Sequence, residues 1–172
     1  MNGVLSRKDM RKLIQQDTPL IEGYIDLEQQ LQPNGFDITL RDIASLNTRG
    51  QIGVDNAQRQ LPDLAPLAFD REGFIEVTPG IYMITYNEIV HIPTHLMALA
   101  RPRASLLRCG VNIGTAVWDA GYSGRSQSLM QVLNAKGFRL QKNARVAQLV
   151  FMTLTAETEG YSGKYQNENI NK

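Results

Sequence analysis

The chain has 172 residues, 42% of them hydrophobic and 20% charged, which sets the expectation of one globular domain large enough to bury a core. Its formal net charge of +1 hides an asymmetry, because residues 89–156 hold eight Lys and Arg against one acid, Asp119, and leave the rest net negative. That distribution favours a local anion site over a broad nucleic-acid surface. A single cysteine, Cys109, excludes an intrachain disulfide, and there is no 18-residue apolar run or signal-peptide pattern, so a soluble cytoplasmic protein with no nucleic-acid or membrane partner is expected.

Ser6-Arg-Lys-Asp9 resembles a capping box, with Asp in place of Glu. Met10, Leu13 and Ile14 then follow helical spacing, predicting an amphipathic helix to about Gln16. From Gly35 onward, Phe36, Ile38 and Leu40 alternate with Asp37, Thr39 and Arg41, the pattern of a half-buried strand that turns Asp37 away from the core. Residues 47–63 are polar, turn-rich and aperiodic. Residues 74–86 read as a hairpin turning at Thr78-Pro-Gly80, and residues 90–100 as a further strand region. His91 and His95 fall in that strand and its following turn, without zinc or catalytic spacing.

Residues 104–110 suit one or two helical turns ending at Gly110, and strand-like runs follow at 111–118, 126–133, 138–141 and 145–154. The chain is therefore expected to be mainly β, a barrel or sandwich with a short N-terminal helix and a short internal helix. Residues 1–156 form the expected β domain. Residues 157–172 form a polar tail, in which Gly160-Tyr-Ser-Gly-Lys-Tyr-Gln166 reads either as a frayed terminus or as a mobile lid.

Asp119 sits in Gly114-Thr-Ala-Val-Trp-Asp-Ala-Gly-Tyr-Ser-Gly124. Amid positive charge it can stay ionised and act as a general base beside an anionic substrate, although Asp-Ala-Gly also favours a turn without chemistry. Arg103 and Arg108 offer forked donors suited to phosphate oxygens, to which Ser105 and the free amides of a turn opening at Ala104 would add. The surrounding segment has almost no carboxylates, so partners for these arginines must come from elsewhere in the chain, another subunit or a ligand. Tyr122 reads as a surface aromatic or as a flat wall for a sugar or base.

Five segments occur in the order of one family: Gln32-Pro-Asn-Gly-Phe-Asp-Ile-Thr-Leu40, Arg101-Pro-Arg-Ala-Ser-Leu-Leu-Arg108, Val117-Trp-Asp-Ala-Gly-Tyr-Ser-Gly124, Asn143-Ala-Arg-Val-Ala-Gln-Leu-Val-Phe151 and Gly160-Tyr-Ser-Gly-Lys-Tyr-Gln166. Together they resemble the trimeric dUTPase and dCTP deaminase superfamily, and most of all archaeal-type dUTP pyrophosphatases. The resemblance implies a distorted jelly-roll of the β-clip type, a homotrimer with active sites at subunit interfaces, and Mg²⁺ bridging the triphosphate. It places Asp119 where a carboxylate orients water for attack on the α-phosphorus. Tyr122 falls where a ring packs against deoxyribose. The main chain from Asn112 through Gly114 and Thr115 to Ala116 falls where the uracil edge is read. Arg103, Ala104, Ser105 and Arg108 match the phosphate segment, and Tyr161, Lys164, Tyr165 and Gln166 match the closing tail. Asp37 and Gln148 match positions that support metal-bound water.

Two departures matter. The family's serine after the motif arginine is Ala104 here, and loss of a transition-state donor costs on the order of a hundredfold in rate. That leaves open a catalytically weakened nucleotide-binding protein. The sister deaminase activity uses a glutamate where this chain has Gln131, which cannot shuttle protons as a carboxylate does. Hydrolysis of dUTP to dUMP and pyrophosphate is thus the expectation, with dCTP deamination disfavoured.

Overall fold

Ser6 opens the first helix. Its hydroxyl accepts the Asp9 amide at 3.3 Å and donates to the Asp9 carboxylate at 2.6 Å, closing the cap that the sequence pattern predicts. In the computed structural model, which describes residues 3–171, α1 spans Arg7–Ile14 and buries Met10 and Ile14. Met1, Asn2 and Lys172, at the outer ends of the expected domain and tail, lie outside the described residues.

The chain continues through β1 (Ile21–Glu22), α2 (Leu27–Gln30), β2 (Leu31–Gln32) and the long β3 (Gly35–Leu46). The aperiodic stretch holds a 3-10 turn at Asn56–Gln58. After it come β4 (Leu64–Pro66), β5 (Phe74–Val77), β6 (Gly80–Tyr86), β7 (Ile89–His91) and β8 (Leu96–Pro102). Then follow α3 (Ala104–Arg108), β9 (Val111–Gly114), β10 (Ser123–Gly124), β11 (Gln127–Val132), β12 (Phe138–Gln141) and β13 (Arg145–Thr153). The fold is mainly β, as expected; α2, capped by the Asp26 carboxylate, is a helix beyond the two that were predicted. No helix among the described residues is long and apolar enough to cross a membrane.

The main sheet runs β8-β13-β3-β6-β11-β9, with β2 and β4 also paired to β3, while β1-β7-β10 and β12-β5 form two smaller sheets. Just beyond β9, Trp118 exchanges backbone hydrogen bonds with Ala98 of β8 at 2.9 and 3.0 Å. The two ends of the main path thereby return to each other, and the sheet is nearly closed like a barrel.

The predicted 74–86 hairpin does not form. Both strands exist, but β5 pairs with β12 and β6 pairs with β3 and β11. The Thr78-Pro-Gly80 turn is instead a corner between sheets, held by the Tyr82 hydroxyl donating to the Thr78 carbonyl at 2.9 Å. The 90–100 region divides into β7 and β8 around Pro93, which cannot donate to a ladder.

The half-buried reading of β3 also fails. Residues 35–40 are all buried: β13 pairs with residues 36–39, β2 with Gly35 and Phe36 and β6 with Leu40, while Gln30 of α2 donates to the Asp37 carbonyl. Phe36 and Leu40 are 0% exposed, and each contributes roughly 2 kcal/mol in transfer terms. Two acids lie inside this region, Asp37 and Glu88. Glu88 accepts the Thr39 amide at 2.8 Å, the Thr39 hydroxyl at 2.7 Å and the Gln30 amide nitrogen at 2.7 Å. Burial nevertheless raises its pKa above the ordinary 4.5.

Glu88 therefore holds its proton more tightly folded than unfolded. Its contribution to stability is fully present below the ordinary value of 4.5 and is lost as pH rises through the higher folded value. Urea unfolding across pH should show wild-type stability falling more steeply above pH 4.5 than that of Glu88→Gln; parallel curves would remove Glu88 as the cause.

Candidate active site

The chain leaves β9 through Thr115 to Trp118 and makes a tight turn at Asp119–Tyr122, closed by the Tyr122 amide on the Asp119 carbonyl at 3.1 Å. Gly121 has φ +79°, and an added Cβ would lie 2.5 Å from the Gly160 Cα. The turn thus needs glycine both for its own backbone and for the tail that crosses it. The 160–169 segment, left open in sequence between fraying and closure, is seated along residues 120–125 in this structure. The Tyr161 amide donates to the Ala120 carbonyl at 2.8 Å, and the Asn167 amide to Ser123 at 2.8 Å. Gln166 bonds both the Gly121 carbonyl and the Ser123 amide at 2.9 Å.

Between turn and tail lies a cavity of about 180 Å³, lined by Asp119, Tyr122, Trp118, Tyr161, Tyr165 and Glu168 among others. Asp119 is exposed at its lip, and its carboxylate has no hydrogen-bonding or ionic partner among the described residues. Tyr122 is buried, meets the Tyr161 ring edge-on at 5.8 Å, and donates its hydroxyl to Glu168 at 2.8 Å. Burial and then the Glu168 charge hold its phenol well above the ordinary range. Trp118 Nε1 donates to the Ser126 hydroxyl at 2.9 Å. Ala116 also lines the cavity. Lys164 is exposed on the tail.

A second group gathers on Asp37. Its Oδ2 meets Arg103 Nε at 3.1 Å and Arg145 Nη1 at 3.4 Å, while Oδ1 accepts from Gln148 at 3.1 Å. The sheet register makes this cluster: β13 lies between β3 and β8, and Gln148 stands opposite both Asp37 and Arg101. Burial raises the Asp37 pKa, opposed by the Gln148 bond and the two guanidiniums. Asp37 is thus an internal anchor at 1% exposure, not the outward side chain that strict alternation predicts. It also supplies the arginine partner that residues 89–156 lack. Arg145, within a quoted motif but given no role from sequence, additionally bonds the Gln29 carbonyl at 2.6 Å.

The predicted turn at Ala104 exists as α3. Leu106 is buried beneath it, Ala104, Ser105 and Arg108 are exposed, and no side chain caps its start. Asn112 and Gln131 stand opposite each other on β9 and β11, bonded amide to amide at 3.0 Å, with Gly114 at the exposed end of β9 and Thr115 just beyond. None of Arg103, Ser105, Arg108, Asn112 or Gln131 lines the Asp119 cavity. The described residues also contain no group of three or more His, Cys, Asp or Glu able to hold a metal. Both Asp37 oxygens are engaged by side-chain nitrogens of Arg103, Arg145 and Gln148, so a divalent ion would meet Asp37 directly only by displacing one of them. Glu168 was invisible to sequence reasoning because it lies past the recognised tail motif, in a segment without periodicity.

The dCTP deaminase-like family model matches residues 4–154. A Methanosarcina mazei protein named "Probable deoxyuridine 5'-triphosphate nucleotidohydrolase" is 52% identical over 98% of this chain and 99% of its own length. An Archaeoglobus fulgidus protein of the same name is 48% identical over 97% of this chain and 98% of its own. Among solved structures, a 2'-deoxycytidine 5'-triphosphate deaminase from Agrobacterium tumefaciens superposes with a TM-score of 0.68 at 19% identity. That likeness covers 89% of this chain and 49% of the other, so this chain spans about half its length, and it speaks to the fold alone.

Removing Asp37 leaves two guanidiniums facing an empty buried position. Asp37→Ala should lower stability by about 3 kcal/mol in urea denaturation at neutral pH. A variant as stable as wild type would show that the arginines do not depend on it.

Proposed function

The chain belongs to the dCTP deaminase-like family, and we propose that it hydrolyses dUTP to dUMP and pyrophosphate. The names borne by its 52% and 48% identical relatives support that substrate. The observation that carries the chemistry is Asp119, an exposed carboxylate without an ionic partner among the described residues, on the lip of an aromatic cavity.

In this reading Asp119 accepts a proton from a water that attacks the α-phosphorus. The new P–O bond forms as the bond to the β-phosphate oxygen breaks, and pyrophosphate leaves. Such a reaction needs an oriented water and positive charge on the non-bridging oxygens rather than a covalent nucleophile. Arg103, held by Asp37, supplies donors together with Arg108, Ser105 and the first amides of α3. Mg²⁺ carried on the triphosphate would add positive charge at the same oxygens. Tyr122 walls the deoxyribose, the main chain from Asn112 to Ala116 reads uracil, and Lys164, Tyr165 and Gln166 close above the nucleotide. The phosphate donors do not line the Asp119 cavity of the same chain, which fits a site completed by another subunit, in our reading within a homotrimer.

Deamination of dCTP is the weaker reading, because Gln131 is an amide bonded to Asn112 and has no carboxylate proton to exchange. Incubation with dUTP or dCTP and Mg²⁺ should release pyrophosphate from dUTP and no ammonia from dCTP; the reverse would overturn the assignment. Asp119→Asn should lower kcat by about a thousandfold while dUTP binding, measured by calorimetry, changes little. Undiminished turnover in that variant would exclude Asp119 as the base.

A further inference from the structure

The tail lies beyond the matched family segment, and one of its residues enters the cavity without a role in the reaction: Glu168. Its main chain is fixed first. Glu168 bridges Gly124 in parallel and accepts the Arg125 amide at 2.9 Å, while Asn169 exchanges bonds with Arg125 at 3.1 and 3.2 Å. From that seat its Oε1 accepts the Tyr122 hydroxyl at 2.8 Å.

Tyr122 is confined on its remaining sides. The Tyr161 ring stands against it at 74° and 5.8 Å, and a Cβ added to Gly124 would lie 2.6 Å from the Tyr122 oxygen. A phenol only 6% exposed must give its proton to an acceptor; Glu168 takes it at 2.8 Å, with the Ser126 hydroxyl as a second neighbour. Without Glu168 the phenol falls back on the Ser126 hydroxyl or on cavity water, and either change of partner turns the ring from its present angle.

Resting on the reading that Tyr122 walls the deoxyribose, we infer that Glu168 is a positioning residue for sugar selection, holding the Tyr122 ring at the angle that leaves no room for a 2′-hydroxyl. It acts through Tyr122 and has no part in attack at phosphorus. The sugar is therefore discriminated by a pair formed from two segments, the 119–124 turn and the last residues of the tail.

The test is kcat/KM for dUTP and UTP with Mg²⁺ in wild type, Glu168→Ala, Glu168→Gln, Tyr122→Phe and the Glu168→Ala/Tyr122→Phe double variant. Glu168→Ala and Tyr122→Phe should each lower the dUTP-over-UTP preference by about tenfold, and the double variant should lose no more than either. Glu168→Gln, whose amide oxygen still accepts, should recover most of the preference. Tyr122→Phe cuts the same bond without touching the tail, so the test survives a Glu168 variant that unseats it. Unchanged preference in Tyr122→Phe, losses that multiply in the double variant, or failure of Glu168→Gln to rescue would each overturn the inference. A wild-type protein that leaves dUTP intact overturns the hydrolase reading itself, whereas unchanged preference in an active enzyme overturns the positioning role alone.

Discussion

A carboxylate enclosed in a sheet has to be met by charge or by hydrogen bonds, and two such carboxylates tie β3 to its surroundings. Asp37 gathers Arg103, Arg145 and Gln148 from the strands and turn to one side. Glu88 gathers Thr39 and Gln30, and Gln30 in turn holds the Asp37 carbonyl and the Ile25 and Asp26 amides. Burial pushes each acid toward its uncharged form, and its partners offset that push only in part. The position of Arg103, and with it the start of α3, therefore follows from the packing of a strand more than sixty residues earlier in the chain.

This linkage separates the two halves of the candidate site by the way they are built. The arginine half is a by-product of sheet register: β13 between β3 and β8 makes Gln148 and Asp37 neighbours. The Asp119 half is a turn with a segment laid across it, fixed by backbone bonds and side-chain amides rather than by a ladder. Sheet ladders open only with global unfolding, whereas surface segments open locally at lower cost. A rigid donor array in one part of the chain and a separable cover in another would suit a hydrolysis that keeps out bulk water during attack and releases a charged product afterwards.

What could be read from sequence divides along the same line. Ser6 and Asp9 announce α1 because a cap is decided within four residues, and the β12 run at 138–141 is found at its full length because Gly137 and the residues after Gln141 bound it locally. The 74–86 hairpin failed because the partners of β5 and β6 are chosen in space, and a turn signal names a corner without naming what pairs beyond it. Asp37 was misplaced for a related reason: alternation assumes one wet face, and β3 has none over residues 35–40. Asp119, Tyr122 and Arg103 were singled out through their motifs, and of the three only Asp119 and Tyr122 line one cavity here, while Arg145 and Glu168 acquire meaning only once β3 and the tail are in place.

Trp118 is the chain's one tryptophan, and it sits on the wall of the Asp119 cavity with its indole nitrogen bonded to Ser126. Its emission colour and intensity consequently come from a single place, with no second indole to dilute them. Water admitted to the cavity, a base or sugar filling it, or departure of Tyr161 and Tyr165 would each alter the polarity around that ring. The protein thus carries a built-in optical reporter on the wall of the Asp119 cavity, readable without any label.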